Sequence, residues 1–460
     1  MDARYSPFHY RIFYSTPQPA KLFEPSPWQC KQTRMRTACF TICSRNYLAY
    51  ALTLRESLLA VEPGRDFFIF LADSPLDDPS QLPGVVAIPA ADLSLANFQD
   101  MAFRYSIMEF NTAIKASCFQ HLLRKLDYDA AIYIDPDIQL FQPFDQVHAA
   151  LENGASCVLT PHILSPLRDS AKPSDLDILA SGTFNLGFGA FARTAESLAF
   201  LEWWAETMKH HCYVDLANGL FVDQRFMDFA PSFIDALTVI KDPGYNVAYW
   251  NLANRPVRKE DGIWMAAGSP LVFFHFSGVS PGSPDVFSKH QSRFDMTNIG
   301  DAAELVRNYT AALEDHGHAH WSTLPYAFGQ FANGKHIVDV MRRGPPVDPS
   351  DPFREPNHVW WSTPTDRVDS VPGLTITRLM YAIHAARPDL MEMFPLSTAS
   401  GQRGFHAWFI THGAQEYRIE KTSLEPAMAA SPVRNRQLAR LFARLRLARS
   451  RKPSGSQDLS

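Results

Sequence analysis

The sequence has no long apolar run and no excess of positive charge, and both absences exclude classes of protein. No stretch reaches the roughly 18 consecutive apolar residues that indicate a transmembrane helix. Residues 1–36 mix charges, aromatic rings and prolines, without the apolar core of a secretory signal. Lys and Arg number 43 against 48 Asp and Glu, a formal net charge of −5. A chain this mildly acidic lacks the basic surface that general nucleic-acid binding requires, so we expect no nucleic-acid partner.

Cysteine is scarce, and its spacing argues against a zinc ribbon or a disulfide framework. No two of the six cysteines form a C-x-x-C pair. We therefore expect reduced thiols and a cytoplasmic location. The six residues are Cys30, Cys39, Cys43, Cys118, Cys157 and Cys212.

The chain does contain short apolar runs that alternate with helical patterns. Each apolar run is typical of a buried strand. Strands that alternate with helices predict an α/β domain whose mostly parallel sheet is flanked by helices. The predicted strands are 37–43, 67–72, 85–88, 130–134, 138–141, 156–160, 187–191 and 271–276, and the predicted helices of this domain are 47–59, 101–126 and 196–210.

Composition divides the chain into four predicted parts. Residues 1–34 are rich in proline and predict an irregular extension, and 35–300 hold the α/β domain. Residues 301–430 predict a smaller, mainly helical accessory module. Residues 431–460 are a basic tail, in which 434–452 predict a short amphipathic helix. That helix has two interpretations, a weak peripheral contact with the inner face of a membrane or a solvated chain end.

A pair of acidic residues follows the predicted strand 130–134. Asp135 and Asp137 are two residues apart on extended backbone, so both carboxylates leave from one face. Neighbouring carboxylates repel each other, and pairing them at a strand end implies a cation such as Mn²⁺ or Mg²⁺. Turns and helix caps also use Asp freely, so the motif alone has a purely structural alternative.

A second signal lies where the strand 271–276 reaches a histidine. An isolated His275 is best interpreted as a hydrogen-bonded core residue. Together with Asp135 and Asp137 it predicts a divalent-metal site that leaves positions open for a diphosphate. A second set of histidines, His316, His318 and His320, suits one side of an extended loop, but no acid or cysteine accompanies it at zinc-like spacing.

Four further stretches occur in the order found in one enzyme family: 43–47 (CSRNY), 109–115 (EFNTAIK), 184–187 (FNLG) and 222–224 (VDQ). With these motifs the chain resembles the nucleotide-sugar glycosyltransferases of the GT-A (Rossmann-like) fold, especially the glycogenin-like and lipopolysaccharide-galactosyltransferase-like family 8. The resemblance covers about 37–290. It implies transfer from a nucleotide diphosphate sugar, a UDP-sugar above all, to a glycan, lipid-linked or protein acceptor, with retention of anomeric configuration.

The resemblance also implies roles for individual residues. Arg104 has two interpretations, a donor-site arginine or an ordinary surface ion pair. The residues implied to hold the metal are Asp135, Asp137 and His275; those implied to bind the donor are Thr41, Cys43, Tyr47, Lys115, Asp135 and Gly278; and those implied to act on the sugar are Asp223, Asn185 and Gln224.

Several positions depart from the family pattern and keep other functions open. Leu186 replaces a Ser, Leu220 replaces an Asp of the glycogenins, and 279–281 (VSP) lacks the expected Lys, for which Lys289 or Arg293 is a hypothetical substitute. The alternatives are an Asp-x-Asp phosphohydrolase and a catalytically degenerate carbohydrate-binding or scaffold protein.

Overall fold

The computed structural model describes residues 35–419, except Asp77, Pro79, Gln81 and Pro345. The predicted extension 1–34, the basic tail 431–460 and its helix 434–452 lie outside the described residues. Within the described part, the residues from Arg36 onward belong to one compact unit. A domain boundary near residue 300 stays a prediction.

A seven-stranded sheet forms the centre of the fold, in the order β10-β6-β7-β4-β1-β2-β3. Strand β1 pairs in parallel with β2 and β4, β2 with β3, and β6 with β10, whereas β7 runs antiparallel to both of its neighbours. The predicted α/β class with a mostly parallel sheet flanked by helices is therefore confirmed. The strands are β1 Thr37–Cys43, β2 Asp66–Leu71, β3 Val86–Pro89, β4 Ala130–Ile134, β5 Ile138–Leu140, β6 Cys157–Pro161, β7 Phe184–Ala192, β8 Val214–Asp215, β9 Leu220–Phe221, β10 Leu237–Val239, β11 Val247–Ala248, β12 Val257–Glu260, β13 Ile263–Ala266, β14 Ser269–Pro270 and β15 Phe273–His275.

Helices cover both faces of this sheet, which explains why β1, β4 and β7 are buried along their whole length. The helices are α1 Leu48–Val61, α2 Phe98–Arg104, α3 Ile107–Ala113, α4 Lys115–Gln120, α5 Asp145–Glu152, α6 Asp175–Ser181, α7 Ala195–His211, α8 Ala230–Phe233, α9 Ala302–Asp315, α10 His318–Trp321, α11 Asp339–Arg342, α12 Glu355–Ser362, α13 Arg378–Ala385, α14 Pro388–Met393, α15 Ala399–Trp408 and α16 Ala414–Glu416. Among the described residues, no helix has the length and apolar character needed to cross a bilayer.

The predicted helical region 101–126 is interrupted rather than continuous. Ser106 lies between α2 and α3 and is the N-cap residue of α3. Its side chain accepts from the backbone N–H of Glu109, and the Glu109 carboxylate accepts from the N–H of Ser106. This capping box fixes the start of α3. The chain then continues through α4 into a π-helical turn at His121–Lys125.

A smaller sheet lies beside the central one, with the order β11-β15-β5. Strand β15 runs antiparallel to β5, and His275 is opposite Ile138. Helix α1 holds β5 in place, because the Ser57 hydroxyl accepts a hydrogen bond from the Leu140 N–H at 3.1 Å. This second sheet brings the end of β15 to the loop between β4 and β5.

The chain after residue 330 has an apolar core of its own. Buried side chains from α11, α13, α14 and α15 form this cluster, and Phe103 of α2 joins it from the α/β region. Helices α11 to α16 lie in this part of the chain. The division into a separate accessory module over 301–430 stays a prediction.

Candidate metal centre and active site

Asp135 and Asp137 lie in the tight connection between β4 and β5. The Asp135 N–H donates to the Gly187 carbonyl of β7 at 2.7 Å, and the Asp137 carbonyl accepts from the Phe276 N–H at 2.8 Å. Both neighbouring strands therefore anchor this connection. As a result, the two carboxylates project from a fixed backbone at the carboxyl end of β4, where α/β sheets commonly bind their ligands.

His275 ends β15 and faces this pair. Its Nε2 atom lies 3.0 Å from Asp137 Oδ1 and 3.6 Å from Asp135 Oδ2. One ligand atom from each residue lies within 4.8 Å of the other two. The side chains of His275, Asp137 and Asp135 are 5%, 14% and 27% exposed, so the group opens to solvent on its Asp135 side.

The nearby Lys115 ammonium affects the pKa values of Asp135 and His275 in this group. Burial raises the pKa of the Asp135 carboxyl, while Lys115 and then His275 oppose that shift. The pKa of His275 is also raised: burial favours its neutral form, but the Asp137 and Asp135 carboxylates together outweigh burial. A site that stabilises positive charge in this way suits a divalent cation.

Gly187 provides the space that His275 occupies. A Cβ atom on Gly187 would lie 2.4 Å from Cε1 and 2.7 Å from Nδ1 of His275, and 2.8 Å from Asn185 Oδ1. Glycine is thus the residue that lets the imidazole pack against β7. The glycine of the FNLG stretch has a steric function that the sequence pattern did not reveal.

We expect Gly187→Ala to weaken Mn²⁺ binding about 10–100-fold, because the new methyl group displaces His275 from the carboxylates. Gly189→Ala is the matched control. It lies two residues further along β7, and its Cβ would meet only Leu159 Cδ2 at 3.6 Å, an ordinary contact. Isothermal titration with Mn²⁺ measures both variants; equal affinities would show that the packing against Gly187 does not position the imidazole.

Lys115 and Asp223 form a buried ion pair behind the carboxylates. Lys115 Nζ lies 2.8 Å from Asp223 Oδ2, donates to the Leu186 carbonyl at 2.8 Å, and lies 4.1 Å from the centroid of the Tyr133 ring. Burial raises the pKa of Asp223, and the Lys115 ammonium opposes the shift. The Tyr133 hydroxyl in turn donates to Asp135 Oδ1. These contacts connect the pair to the candidate metal ligands.

Asn185 and Gln224 are joined through a buried hydrogen-bond network. Gln224 Oε1 accepts from the Leu186 N–H at 3.0 Å and lies 3.4 Å from Asn185 Nδ2. Asn185 Nδ2 also lies 3.2 Å from His162 Nε2, and Asn185 Oδ1 accepts from Asn246 Nδ2 at 3.2 Å. The network therefore extends to residues from two further loops.

Three residues beside this network, His162, Asn246 and Trp250, were not predicted from the sequence. The Trp250 ring contacts the rings of both His162 and His275 edge-on, at centroid distances of 5.4 and 5.2 Å. His162 follows β6 directly, so the rule that favours polar residues at strand ends could have indicated it. No comparable signal marks Asn246 or Trp250, which lie in irregular backbone.

The residues expected to bind the donor occupy different environments. Thr41 and Cys43 are buried in β1, and burial raises the pKa of the Cys43 thiol. The Tyr47 ring is 38% exposed and stacks on Tyr50 at a centroid distance of 4.1 Å. Burial and then the charge of Asp137 raise the pKa of Tyr50 to about 12. The aromatic pair follows the carboxyl end of β1, which is the parallel neighbour of β4, so both lie at the same edge of the sheet as the carboxylates.

Gly278 needs its glycine for two reasons. Its φ of +79° lies in the left-handed region, and a Cβ there would lie 2.6 Å from Ser288 Oγ. Of the two hypothetical substitutes for the missing lysine, Arg293 is held by both carboxylate oxygens of Asp169, at 2.7 and 2.8 Å. Lys289 is exposed.

Arg104 lies apart from this group. It pairs with Asp100 on its own helix, and its Nη1 contacts the Lys209 carbonyl and His210 Nδ1. In the described part of the chain, no hydrogen bond or ion pair joins it to Asp135. Its assignment to the donor site stays a prediction.

The three clustered histidines do not share one extended segment, because His316 lies in the turn after α9 whereas His318 and His320 lie in α10. His316 follows α9 and pairs with Glu56 at 2.8 Å, and His318, in α10, lies 3.8 Å from Glu314. Asp135, Asp137 and His275 form the one group of three or more potential metal ligands found among residues 35–419 that the structure describes. His316 instead connects the end of α9 to Glu56 of α1, and the His318 ring lies edge-on to Tyr50 of α1 at a centroid distance of 5.7 Å.

No protein-family model matches the chain. Two proteins of Bacillus subtilis (strain 168), both described as uncharacterized, are similar in sequence. YfnF is 26% identical over 251 residues, which cover 53% of this chain and 82% of that protein. YfnD is 31% identical over 173 residues, which cover 37% of this chain. This match spans about half of YfnD, 53% of its length.

Solved structures with a partial likeness include several glycosyltransferases. The galactosyltransferase LgtC, in complex with donor and acceptor sugar analogues, is 13% identical with a TM-score of 0.36, covering 63% of this chain and 97% of that one. Mouse xyloside xylosyltransferase 1 is 12% identical with a TM-score of 0.34, covering 52% and 97%. Likeness at these scores does not by itself establish a shared activity.

Proposed function

We propose that the chain is a metal-dependent glycosyltransferase that uses a nucleotide diphosphate sugar, a UDP-sugar above all. The acceptor class would be a glycan, a lipid-linked sugar or a protein. The observation that carries the proposal is the group of Asp135, Asp137 and His275, with ligand atoms within 4.8 Å of one another at the carboxyl end of β4. The motif resemblance along 37–290 supplies the reaction class.

The donor set fits a divalent ion such as Mn²⁺ or Mg²⁺. Two carboxylates supply the oxygen ligands that hard cations prefer, and one imidazole nitrogen favours Mn²⁺ within this class. Partial exposure on the Asp135 side leaves room for phosphate oxygens. When bound, the ion would supply positive charge that stabilises a departing nucleoside diphosphate.

The buried ion pair would act on the sugar itself. Lys115 would keep the Asp223 carboxylate fixed and add positive charge beside Asp135. Asp223 would then stabilise the positive character that develops on the sugar when its bond to the diphosphate breaks. Asn185 and Gln224, which hydrogen-bond to each other, would position the sugar hydroxyls. Retention of configuration is implied by the family resemblance.

The aromatic residues near the carboxylates would bind the nucleoside. The exposed ring of Tyr47, stacked on Tyr50, offers a flat surface for a base. Thr41 and Cys43 would contribute to donor binding by shaping the end of β1. Gly278 would contribute by letting its backbone approach the donor closely.

A catalytically degenerate carbohydrate-binding protein is the second candidate. The observation in its favour is that Arg293, one hypothetical substitute for the family's lysine, is engaged by Asp169. Lys289 would then have to supply the missing charge from an exposed position.

Donor hydrolysis separates these functions. We expect the purified full chain to release nucleoside diphosphate from one member of a panel of nucleotide sugars in the presence of Mn²⁺, and to lose that activity in EDTA. Tight nucleotide-sugar binding with no turnover would favour the degenerate protein. Release of phosphate from simple phosphomonoesters, with nucleotide sugars left intact, would favour an Asp-x-Asp phosphohydrolase.

A further inference from the structure

A separate cavity of about 680 Å³ lies between α2, the β8–β9 hairpin and the segment that follows α11. Its volume is in the range of small-molecule binding sites. Its lining includes three arginines, two aspartates and the ring of Tyr213; the charged residues are Arg104, Arg342, Arg343, Asp100 and Asp215. None of the proposed metal ligands is among its lining residues.

Arg343 is held in a fixed orientation. Its guanidinium lies 4.3 Å from the centroid of the Tyr213 ring, and its Nη2 donates to the Glu109 carboxylate at 2.6 Å. The Glu109 side chain is only 2% exposed, whereas that of Arg343 is 44% exposed. The buried partner therefore fixes the guanidinium while leaving part of it open to a ligand.

Arg342 is a buried cation in the wall of the cavity. It donates to the carbonyls of Phe103 and Tyr105 at 2.8 and 3.2 Å, and to that of Phe328 at 2.9 Å. Its side chain is 5% exposed, and its Nε has no hydrogen-bond partner, although exposed Asp339 lies 3.5 Å away. Neutral carbonyls thus accept most of its hydrogen bonds.

The two aspartates supply acceptors in the same cavity. Asp215 is fixed by its own turn, because its carboxylate accepts from the N–H and Nδ2 of Asn218. Asp100 pairs with Arg104, and both side chains are partly exposed, at 37% and 26%. Exposed pairs of this kind contribute little free energy, so a ligand can exchange with them readily.

The balance of charge identifies the class of ligand. An anion would meet Asp100 and Asp215, a cation would meet three guanidinium groups, and buried Glu109 already compensates Arg343. A hydroxyl group both donates and accepts hydrogen bonds, so a polyhydroxylated neutral molecule can use both sets. Phe103 and Val214, which also line the cavity, add apolar surface for the carbon face of such a molecule.

The cavity also borders the backbone that carries the proposed catalytic residues. The Val222 N–H, one residue before Asp223, donates to the Tyr213 carbonyl at 2.9 Å. On the other side, Glu109 lies in α3, which leads directly to Lys115 at the start of α4. We propose that this cavity binds a sugar unit of the acceptor glycan, remote from the unit that receives the transferred sugar. The inference rests on the proposed function.

Saturation-transfer NMR on the full chain with UDP and Mg²⁺, which is diamagnetic, tests the inference. The probes are lactose, maltotriose, cellotriose, mannotriose and chitotriose, with inorganic phosphate as the charged comparison. We expect at least one neutral saccharide to bind, and the double variant Asp100→Asn/Arg104→Gln to bind it about tenfold more weakly. The matched control is Arg124→Gln/Glu202→Gln, which removes an exposed pair elsewhere and should bind as the wild type does.

Binding of none of the saccharides, equal affinity in the cavity variant and the wild type, or binding of phosphate alone would overturn the inference. Donor hydrolysis by the wild-type chain is recorded on the same preparation. If the wild-type chain hydrolyses the donor but binds no saccharide, or binds it as tightly as the cavity variant does, the cavity assignment is refuted while the proposed function stands. Absence of turnover with every nucleotide sugar would instead refute the proposed function. If the double variant does not fold, the Asp100→Asn single variant, which replaces one partly exposed carboxylate oxygen by an amide nitrogen, is measured in its place.

Discussion

Asp137→Asn should lower Mn²⁺-dependent donor turnover by about 100-fold or more while leaving the fold intact. Asp137 provides the carboxylate oxygen nearest to His275, at 3.0 Å, and an amide is a far weaker ligand for a hard divalent ion. The side chain lies at the edge of the sheet rather than in its apolar core, so we expect circular dichroism to be unchanged. The measurement is nucleoside diphosphate release across a Mn²⁺ titration.

The control for this variant is Asp285→Asn. Asp285 is an exposed carboxylate in the loop that follows Gly278, and its loss changes the net charge by the same amount. Full metal-dependent turnover in Asp137→Asn would remove Asp137 from the metal site. A similar loss in both variants would indicate a general electrostatic effect instead.

The carboxylate–imidazole group was accessible to sequence reasoning because each of its residues has a local signal. Asp135 and Asp137 follow a recognisable buried strand, and His275 ends another. Polar residues at the carboxyl ends of strands are expected to converge. What the pattern could not give was the second sheet, in which β15 pairs with β5 and brings the imidazole to the acids.

Other features depend on contacts between distant segments, which periodicity does not encode. The Lys115–Asp223 pair joins residues 108 positions apart, and the antiparallel direction of β7 depends on how the chain crosses the sheet. The sequence could not decide between the two interpretations of Arg104, since a single arginine forms no repeating pattern that would indicate its surroundings. For His316 and His318, spacing on an assumed extended loop was misleading, because His316 lies in a turn after α9 and His318 begins the short helix α10.

Lys115→Met should destabilise the protein by about 3–5 kcal/mol, because it leaves the Asp223 carboxylate buried without a cation. The two side chains are only 3% and 2% exposed, so water cannot replace the ammonium. In Lys115→Met/Asp223→Leu we expect most of this loss to be recovered, since an apolar pair of similar volume often substitutes for a buried ion pair at little cost. Urea unfolding followed by circular dichroism gives the free energies.

The pH dependence gives an independent check on the same variant. Burial already raises the pKa of Asp223 in the folded protein, and loss of Lys115 removes the charge that opposes this shift. The folded variant then binds a proton that the unfolded chain releases, so its stability falls as pH rises above the ordinary carboxyl range and recovers as pH falls. Lys172→Met is the matched control: its partner Asp177 is 42% exposed, and its cost should stay under about 1 kcal/mol. If Lys115→Met lowered the free energy of unfolding by less than about 1 kcal/mol at every pH, solvent would reach Asp223. The pair would then not hold the proposed catalytic carboxylate in place.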